Sequence, residues 1–358
     1  MAPTRVDPAG LEGPTWRAAN GPGWERVSAG LYVPANRPDV VEQRIVEQAG
    51  RLKPDATAGC VTAWASLRWH GANFFDGLDA DAATALPVPL VLGGGGRKLR
   101  QVEGSTVSRE QLAWAEREVV DGVPVTTVPR ALFDEVGRRG ELWAAVSAIE
   151  MAAAAGLISV WLFATYVGNQ NSRNGAPLAR EACSLAVDEL RSPREAWLLM
   201  VWRLVAGLPE PLVNCPVYDL DGRLLGIPDL FDPVAGLVAE YDGAHHTLGD
   251  NPLRDLAREE RFRDHGLEYV AIVKGQSRTA VARRLVAARA RARFQPPSSR
   301  PWTLDRPPWD PEPENLDARL ERLGLVPYLT GESTERNRPG SRPAGSKTFR
   351  TFPGSHPA

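Results

Sequence analysis

The run GIPDLFDPVAGLVAEYDGAHH, residues 226–246, decides how the second half of this 358-residue chain is read. It places Asp229 and Glu240 eleven residues apart, on the two sides of a turn marked by Asp232-Pro233 and Gly236. Residues 237–241 read as one strand of a tight β-hairpin and residues 223–231 as the strand before it. A β-favouring run at 213–218 and the turn signal Asp219-Leu220-Asp221-Gly222 add a third strand upstream. The pattern predicts an antiparallel meander with acids gathered near its second turn.

Two carboxylates held close together disfavour joint ionisation unless a cation neutralises them. Hard oxygen ligands in an incomplete set suit Mg2+ or Mn2+, which keep waters and engage phosphate groups. Such an ion can orient an attacking water and offset charge on a scissile phosphate. Spacing alone leaves a plainer reading open, in which Asp229 and Asp232 are turn residues and Glu240 lies on a solvated strand face.

Ser192-Pro193-Arg194-Glu195 is a helix start, with serine at the N-cap, proline at the first helical position and an apolar run behind it. Glu195 is then either the reciprocal member of a capping box or a third acid aimed at the strands. After the hairpin, a charged helix with Arg254, Asp255, Arg258 and Arg261 ends near Gly266, and residues 267–273 form a further strand. Spacings of four and three put Arg254, Arg258 and Arg261 on one basic face suited to phosphates.

Four pieces in this order, SPREAWLLMVWRL, GIPDLFDP, VAEYDGAHH and RDLAREERFRDHGLEYVAI, resemble the domain of unknown function 559. That family is kin to the very-short-patch mismatch repair endonucleases of the PD-(D/E)XK superfamily. The resemblance implies an α/β, restriction-endonuclease-like mixed sheet flanked by helices over residues 190–295. It implies that Glu195, Asp229 and Glu240 surround a Mg2+ or Mn2+ ion, with Asp242 in the usual lysine position and His246 beside the site. Asp255 and Arg258 match a helix motif that orients the site. Without the lysine, the metal, His246 or Lys274 is left to handle the attacking water, and His245 takes the place of His246 if the register shifts by one.

With 42 basic and 44 acidic residues the chain is no basic coat for a polyanion. Its charge is uneven, however: residues 278–293 carry six arginines, among them Arg283 and Arg284, and no acid. They form either a local positive face for DNA, together with Arg254 and Arg261, or a solvated helix whose arginines favour its own C-terminus.

The first 125 residues read as an α+β domain. WERVSAGLYVP is a short hairpin or wing turning at Gly30, residues 39–52 and 62–70 are helices, and residues 87–92 are a strand. The glycine run 93–96 lacks the Gly-Lys-Ser/Thr ending of a phosphate loop and reads as a hairpin connection. RVSAGLYVP, CVTAWASLRWHG and GVPVTTVPRALFDEV resemble the N-terminal part of AbiEi-type antitoxin relatives from actinobacteria. That likeness implies a winged-helix element, truncated here to about twenty residues ahead of the wing, and a possible protein partner in a defence or toxin-antitoxin setting. Residues 126–189 read as a helical connector, and 296–358, rich in Pro, Ser, Arg and Trp, as a largely disordered tail with Trp302 and Trp309 able to dock.

Three scattered cysteines, Cys60, Cys183 and Cys215, make neither a metal knuckle nor an even disulfide set. No run approaches the length needed to span a bilayer and the first residues carry no signal-peptide pattern, so a cytoplasmic protein is expected. Two functions emerge from the sequence. One is a Mg2+-dependent endonuclease acting on DNA; the other is an idle nuclease-shaped module that binds nucleic acid or a partner protein.

Overall fold

The computed structural model describes residues 1–79, 82–94, 99–242 and 252–330, with backbone alone for 252–255. The architecture is mixed α/β, and the chain divides into two compact units. One is Met1–Ser184 continued by the described residues from Leu316 onward, and the other is Leu185–Asn315. No helix among the described residues is long and apolar enough to cross a membrane.

In the first unit, α1 (Trp16–Ala19) leads into the hairpin β1 (Trp24–Ser28) and β2 (Leu31–Pro34), with Gly30 at φ +74 in its turn. A left-handed φ there carries no steric cost for glycine. There follow α2 (Val41–Ala49), β3 (Cys60–Val61), α3 (Ala63–Trp69), β4 (Val88–Val91), β5 (Ser105–Ser108), β6 (Arg117–Val120) and β7 (Val123–Thr126). The five strands β3 to β7 form one sheet in the order β5-β4-β3-β7-β6. β4 and β5 run parallel, so the glycine run that starts at Gly93 does not close a hairpin, contrary to the sequence reading. Residues 92–104 are a crossover, and a parallel pair needs about a dozen residues for one; residues 95–98 lie outside the described residues.

Four consecutive helices follow in this unit: α4 (Val128–Arg139), α5 (Leu142–Ala154), α6 (Val160–Gly168) and α7 (Ala176–Cys183). They belong to the unit itself and are not the separate connector expected for 126–189. The cause is a buried ionic network. The fully buried Arg130 of α4 holds Glu116 and Asp134, each at 2.8 Å. Glu116 also accepts Tyr166 Oη of α6 at 2.7 Å and Arg173 at 2.9 Å. Burial opposes the charge on Glu116, yet the bonds from Arg173 and Tyr166 and the Arg130 charge hold its pKa below the usual carboxylate value. Leaving any of these partners alone in the interior costs several kcal/mol, on the order of 3–5, so the helices are tied to the sheet.

The second unit starts with α8 (Pro193–Met200), which runs on into a π turn at Val201–Val205. Then come β8 (Leu212–Val213), β9 (Val217–Asp219), β10 (Leu224–Gly226), β11 (Leu230–Asp232) and β12 (Leu237–Asp242). After them follow α9 (Pro252–Asp264), β13 (Glu268–Val273), α10 (Arg278–Arg291) and β14 (Trp302–Thr303). The expected second strand of the meander is therefore split. β10 lies in a sheet of order β10-β9-β14, and β11 in a sheet of order β13-β12-β11-β8. Ile227, Pro228 and Asp229 separate the two pieces; Pro228 has no N–H to give a ladder, so the strand ends there and restarts.

In the larger sheet β12 pairs antiparallel with β11 and parallel with β13, α9 being the crossover between them. α8 and α10 pack on β12. On the other face, Val217, Leu225, Phe231, Val238, Leu267 and Trp302 bury themselves with Phe262 of α9. Phe262 approaches β10 so closely that a Cβ on Gly226 would lie 2.5 Å from its ring.

Residues 296–330 do not behave as the disordered tail that composition predicts. Trp302, only 4% exposed, packs edge-on against Phe231 with centroids 5.2 Å apart, and β14 extends the smaller sheet beside β9. Tyr218 bonds Asp310, whereas Trp309 stays 71% exposed. The two helices α11 (Leu316–Arg322) and α12 (Val326–Thr330) belong to the first unit, where Tyr328 donates to Glu118. Aromatic anchors supply the apolar burial that a count of Pro and Ser hides. Trp302→Ala should lower the stability of the full-length protein by about 3–5 kcal/mol in urea unfolding. Loss of less than about 1 kcal/mol would mean that β14 does not belong to the folded sheet.

Candidate active site

The β11–β12 turn is built by its own side chains. Asp232, 2% exposed, accepts Val234 N at 2.9 Å and Ala235 N at 3.0 Å on Oδ1, and Arg289 Nε of α10 at 2.8 Å on Oδ2. Gly236 closes the turn at φ +75, where other residues are strained. The turn fixes the register Leu230↔Ala239. Asp229 lies in the bend just before β11, and Glu240 lies in β12 one residue beyond Ala239; both line one cleft beside α9.

On that face a cleft of about 340 Å³ is lined by Asp229, Glu240, Asp242, Arg258 and Tyr269, among others. Glu240 is 5% exposed, and its Oε2 accepts Arg258 Nη2 at 2.7 Å and Tyr269 Oη at 2.6 Å. Asp229 Oδ2 accepts Tyr241 N at 2.7 Å. Burial pushes the pKa of Asp229 up to about 7, with the Tyr241 N–H and Arg258 opposing the shift and the charges of Glu195 and Glu240 adding to it. Burial and the neighbouring Glu240 charge likewise raise the Tyr269 phenol, so it is a proton donor at neutral pH.

Glu195 sits at the start of α8, buried but outside the lining of this cleft. Ser192 Oγ accepts Glu195 N at 3.2 Å, and Glu195 Oε2 reaches back to Arg191 N at 2.9 Å, one residue beyond the usual capping-box partner. The same Oε2 accepts Asn214 Nδ2 at 2.8 Å. Asn214, at φ +46, also donates its backbone N–H to Asp229 O at 3.2 Å. It thus clamps the start of β11 to α8, a role the sequence reading missed; an asparagine ahead of Pro216 tolerates the left-handed turn that this needs. Tyr269 was missed as well, and only the parallel register Val238↔Tyr269 puts it on the Glu240 face.

The remaining sequence candidates separate into groups. Asp242 lines the cleft from the exposed end of β12. Arg258, expected to orient the site or hold the hairpin end and to share a basic face with Arg254 and Arg261, touches Glu240 directly. Arg254 and Asp255 lie on the α9 backbone, their side chains outside the described residues, as are His245 and His246 altogether. Lys274 is exposed just beyond β13. The basic face is partly used within the fold. Arg261 donates to Leu225 O at 3.1 Å, and Arg284 to Ala271 O at 2.8 Å and Gln276 at 2.9 Å. Arg289 and Arg291 pair with Asp232 and Glu268, while Arg283 is exposed.

Asp229 and Glu240 are hard oxygen donors of the kind a divalent cation takes, and burial, followed by the charges of Glu195 and Glu240, disfavours ionisation of Asp229. Among the described residues no group of three or more His, Cys, Asp or Glu side chains is placed to hold a metal ion. An ion bound there would draw its other ligands from water, as Mg2+ commonly does. No family model, no curated protein and no solved structure matches this chain, so the likeness named above rests on its motifs alone.

Asp229 gives the site a pH signature. Its folded pKa of about 7 lies above the ordinary 3.8, so the folded chain holds an extra proton between those values. Stability therefore falls as pH rises through that window and stays reduced above it. In metal-free buffer Asp229→Asn should stabilise the protein at pH 8 by roughly 1–4 kcal/mol, and by distinctly less at pH 5. An equal effect at both pH values in chemical denaturation would remove the charge as its cause.

Proposed function

We propose that the second unit is a metal-dependent phosphodiesterase that cuts DNA, with a restriction-endonuclease-like core of the PD-(D/E)XK type. The observation that carries this reading is that Asp229 and Glu240 line one cleft, with Asp229 pushed up to about 7 by burial and its acidic neighbours. The order of elements supports the fold assignment: helix α8, antiparallel strands bearing the acids, crossover helix α9, then the parallel strand β13.

Each side chain has a task under this reading. Asp229 and Glu240 hold the ion, Mg2+ or Mn2+, which when bound supplies positive charge for the scissile phosphate and lowers the pKa of water. Arg258 and Tyr269 fix the Glu240 carboxylate from one side and offset its charge, Arg258 standing nearest to the positive group that the absent lysine would give. Glu195 keeps α8 and Asn214 in place and acts on Asp229 through its charge. Arg283 and Arg261, exposed on α10 and α9, are available to phosphates of the DNA backbone.

A second reading is favoured by one feature of the same site. Arg258 already neutralises Glu240, and Asp242 stands in the lysine position, as in a module that binds nucleic acid or a partner protein, in a defence or toxin-antitoxin setting, without cutting. Purified full-length protein with Mg2+ or Mn2+ should cleave at least one of single-stranded, duplex, nicked or mismatched DNA. Asp229→Ala and Glu240→Gln should each lower the rate by 10²-fold or more while circular dichroism stays native. Folded wild-type protein that cuts none of these, yet binds DNA equally with and without metal and with Asp229→Ala, would replace the first reading by the second.

A further inference from the structure

A second cleft, about 350 Å³, opens on the other face of the larger sheet, lined by Pro193, Arg194, Trp197, Tyr241, Gly275 and Gln276. Tyr241 follows Glu240 in β12, so its ring points away from the acids while its backbone N–H holds Asp229. Both clefts therefore meet at the same strand end. The Trp197 and Tyr241 rings stand edge to face, 6.0 Å apart and inclined at 86°, both half-buried. The Arg194 guanidinium lies over the Tyr241 ring at 5.6 Å. Gln276 is pinned through Oε1, which accepts Val273 N at 3.3 Å and Arg284 Nη1 at 2.9 Å.

The chemistry of this wall is particular. Core aromatics are enclosed by aliphatic neighbours, but Trp197 and Tyr241 each keep surface in a cleft of ligand size. A cation over one ring adds attraction for a π-face and for the phosphate attached to it. Two rings at right angles with a guanidinium accept a flat, uncharged heterocycle against one face and contact its edge with the other. Duplex bases have their faces covered by neighbours; bases of an unpaired strand do not.

We infer that the Trp197–Tyr241–Arg194 cleft is a base-stacking subsite for an unpaired DNA strand whose backbone passes the strand end toward Asp229 and Glu240. This rests on the phosphodiesterase reading for the direction of the strand, not for the stacking itself. The subsite makes the enzyme prefer single-stranded or locally opened DNA over intact duplex, with little base preference, since every base offers a π-face.

The test uses the full-length protein in EDTA, so that no cleavage occurs, and a short single strand carrying a fluorescent purine analogue whose emission falls on stacking. Wild-type protein should quench the analogue on binding. Trp197→Ala should abolish the quench and weaken affinity roughly tenfold or more, and the same substitution should barely change affinity for a strand with an abasic site in place of the analogue. Trp197→Phe should restore most of the quench, which a merely structural role in α8 would not predict. Absence of quench with wild type, or an equal loss on the abasic strand, overturns the subsite. The two readings fail separately. Quench without any cleavage when Mg2+ is restored sinks the hydrolysis and leaves the subsite. Trp197→Ala that binds and cuts like wild type sinks the subsite and leaves the hydrolysis.

Discussion

The second unit depends on the antiparallel pairing of β11 and β12, which brings Asp229, just ahead of β11, and Glu240 of β12 into one cleft. Like charges facing each other across a strand pair are unfavourable, and burial makes them more so. The fold carries this cost through an arrangement that nothing in core packing requires. The Asp232 turn with Arg289 locks the register, Arg258 and Tyr269 take one oxygen of Glu240, and Tyr241 N–H takes one of Asp229. A slip of one residue would send Glu240 to the α8 face, away from Arg258 and Tyr269. Strained electrostatics held by an over-determined turn is the pattern expected where a site, not stability, was the constraint.

The two ion networks of the chain make an instructive contrast. Around Arg130 in the first unit, burial is answered by enough partners that Glu116 is held below the ordinary carboxylate pKa. Around Asp229, burial and two further acids are answered by one backbone N–H and the more distant charge of Arg258, and its pKa rises. The first network fastens helices α4 and α6 to the turn ahead of β6 through Glu116, although burial raises the pKa of its other acid, Asp134. In the second, Arg258 is paired with Glu240, and burial together with the acidic neighbours outweighs what lowers the Asp229 pKa.

Much of this was legible in the sequence because local chemistry and tertiary role agree. Ser192-Pro193 opens α8, the Asp232 to Gly236 turn lies where Asp, Pro and Gly place it, and Asp229 and Glu240 meet because their spacing brackets that turn. The rest depended on contacts distant in sequence. That Arg258 reaches Glu240 requires knowing that α9 crosses over the acid face, eighteen residues on. Tyr269 needs the parallel register of β13, and Asn214 needs the edge strand β8. The break at Pro228 was written in the sequence, since proline cannot sustain a ladder, but a run of β-favouring residues on both sides outweighed it in a local reading. Composition misled at 296–330 because a few aromatic residues, not the average, decide whether a segment buries enough to order.

Alternation along β12 gives the two faces of the sheet different chemistry within three residues. Glu240 and Asp242 line a polar cleft under α9, while Tyr241 between them joins Trp197 and Arg194 under α8. A polyanion with flat bases carries both matching chemistries on one chain, phosphates for the cationic and metal-binding side and rings for the aromatic side. A phosphorylated small molecule lacks the length to occupy both faces, and a peptide lacks the repeated charge. The pairing of an acid cleft with an aromatic cleft across one strand end therefore argues for an extended nucleic acid strand more strongly than either cleft does alone.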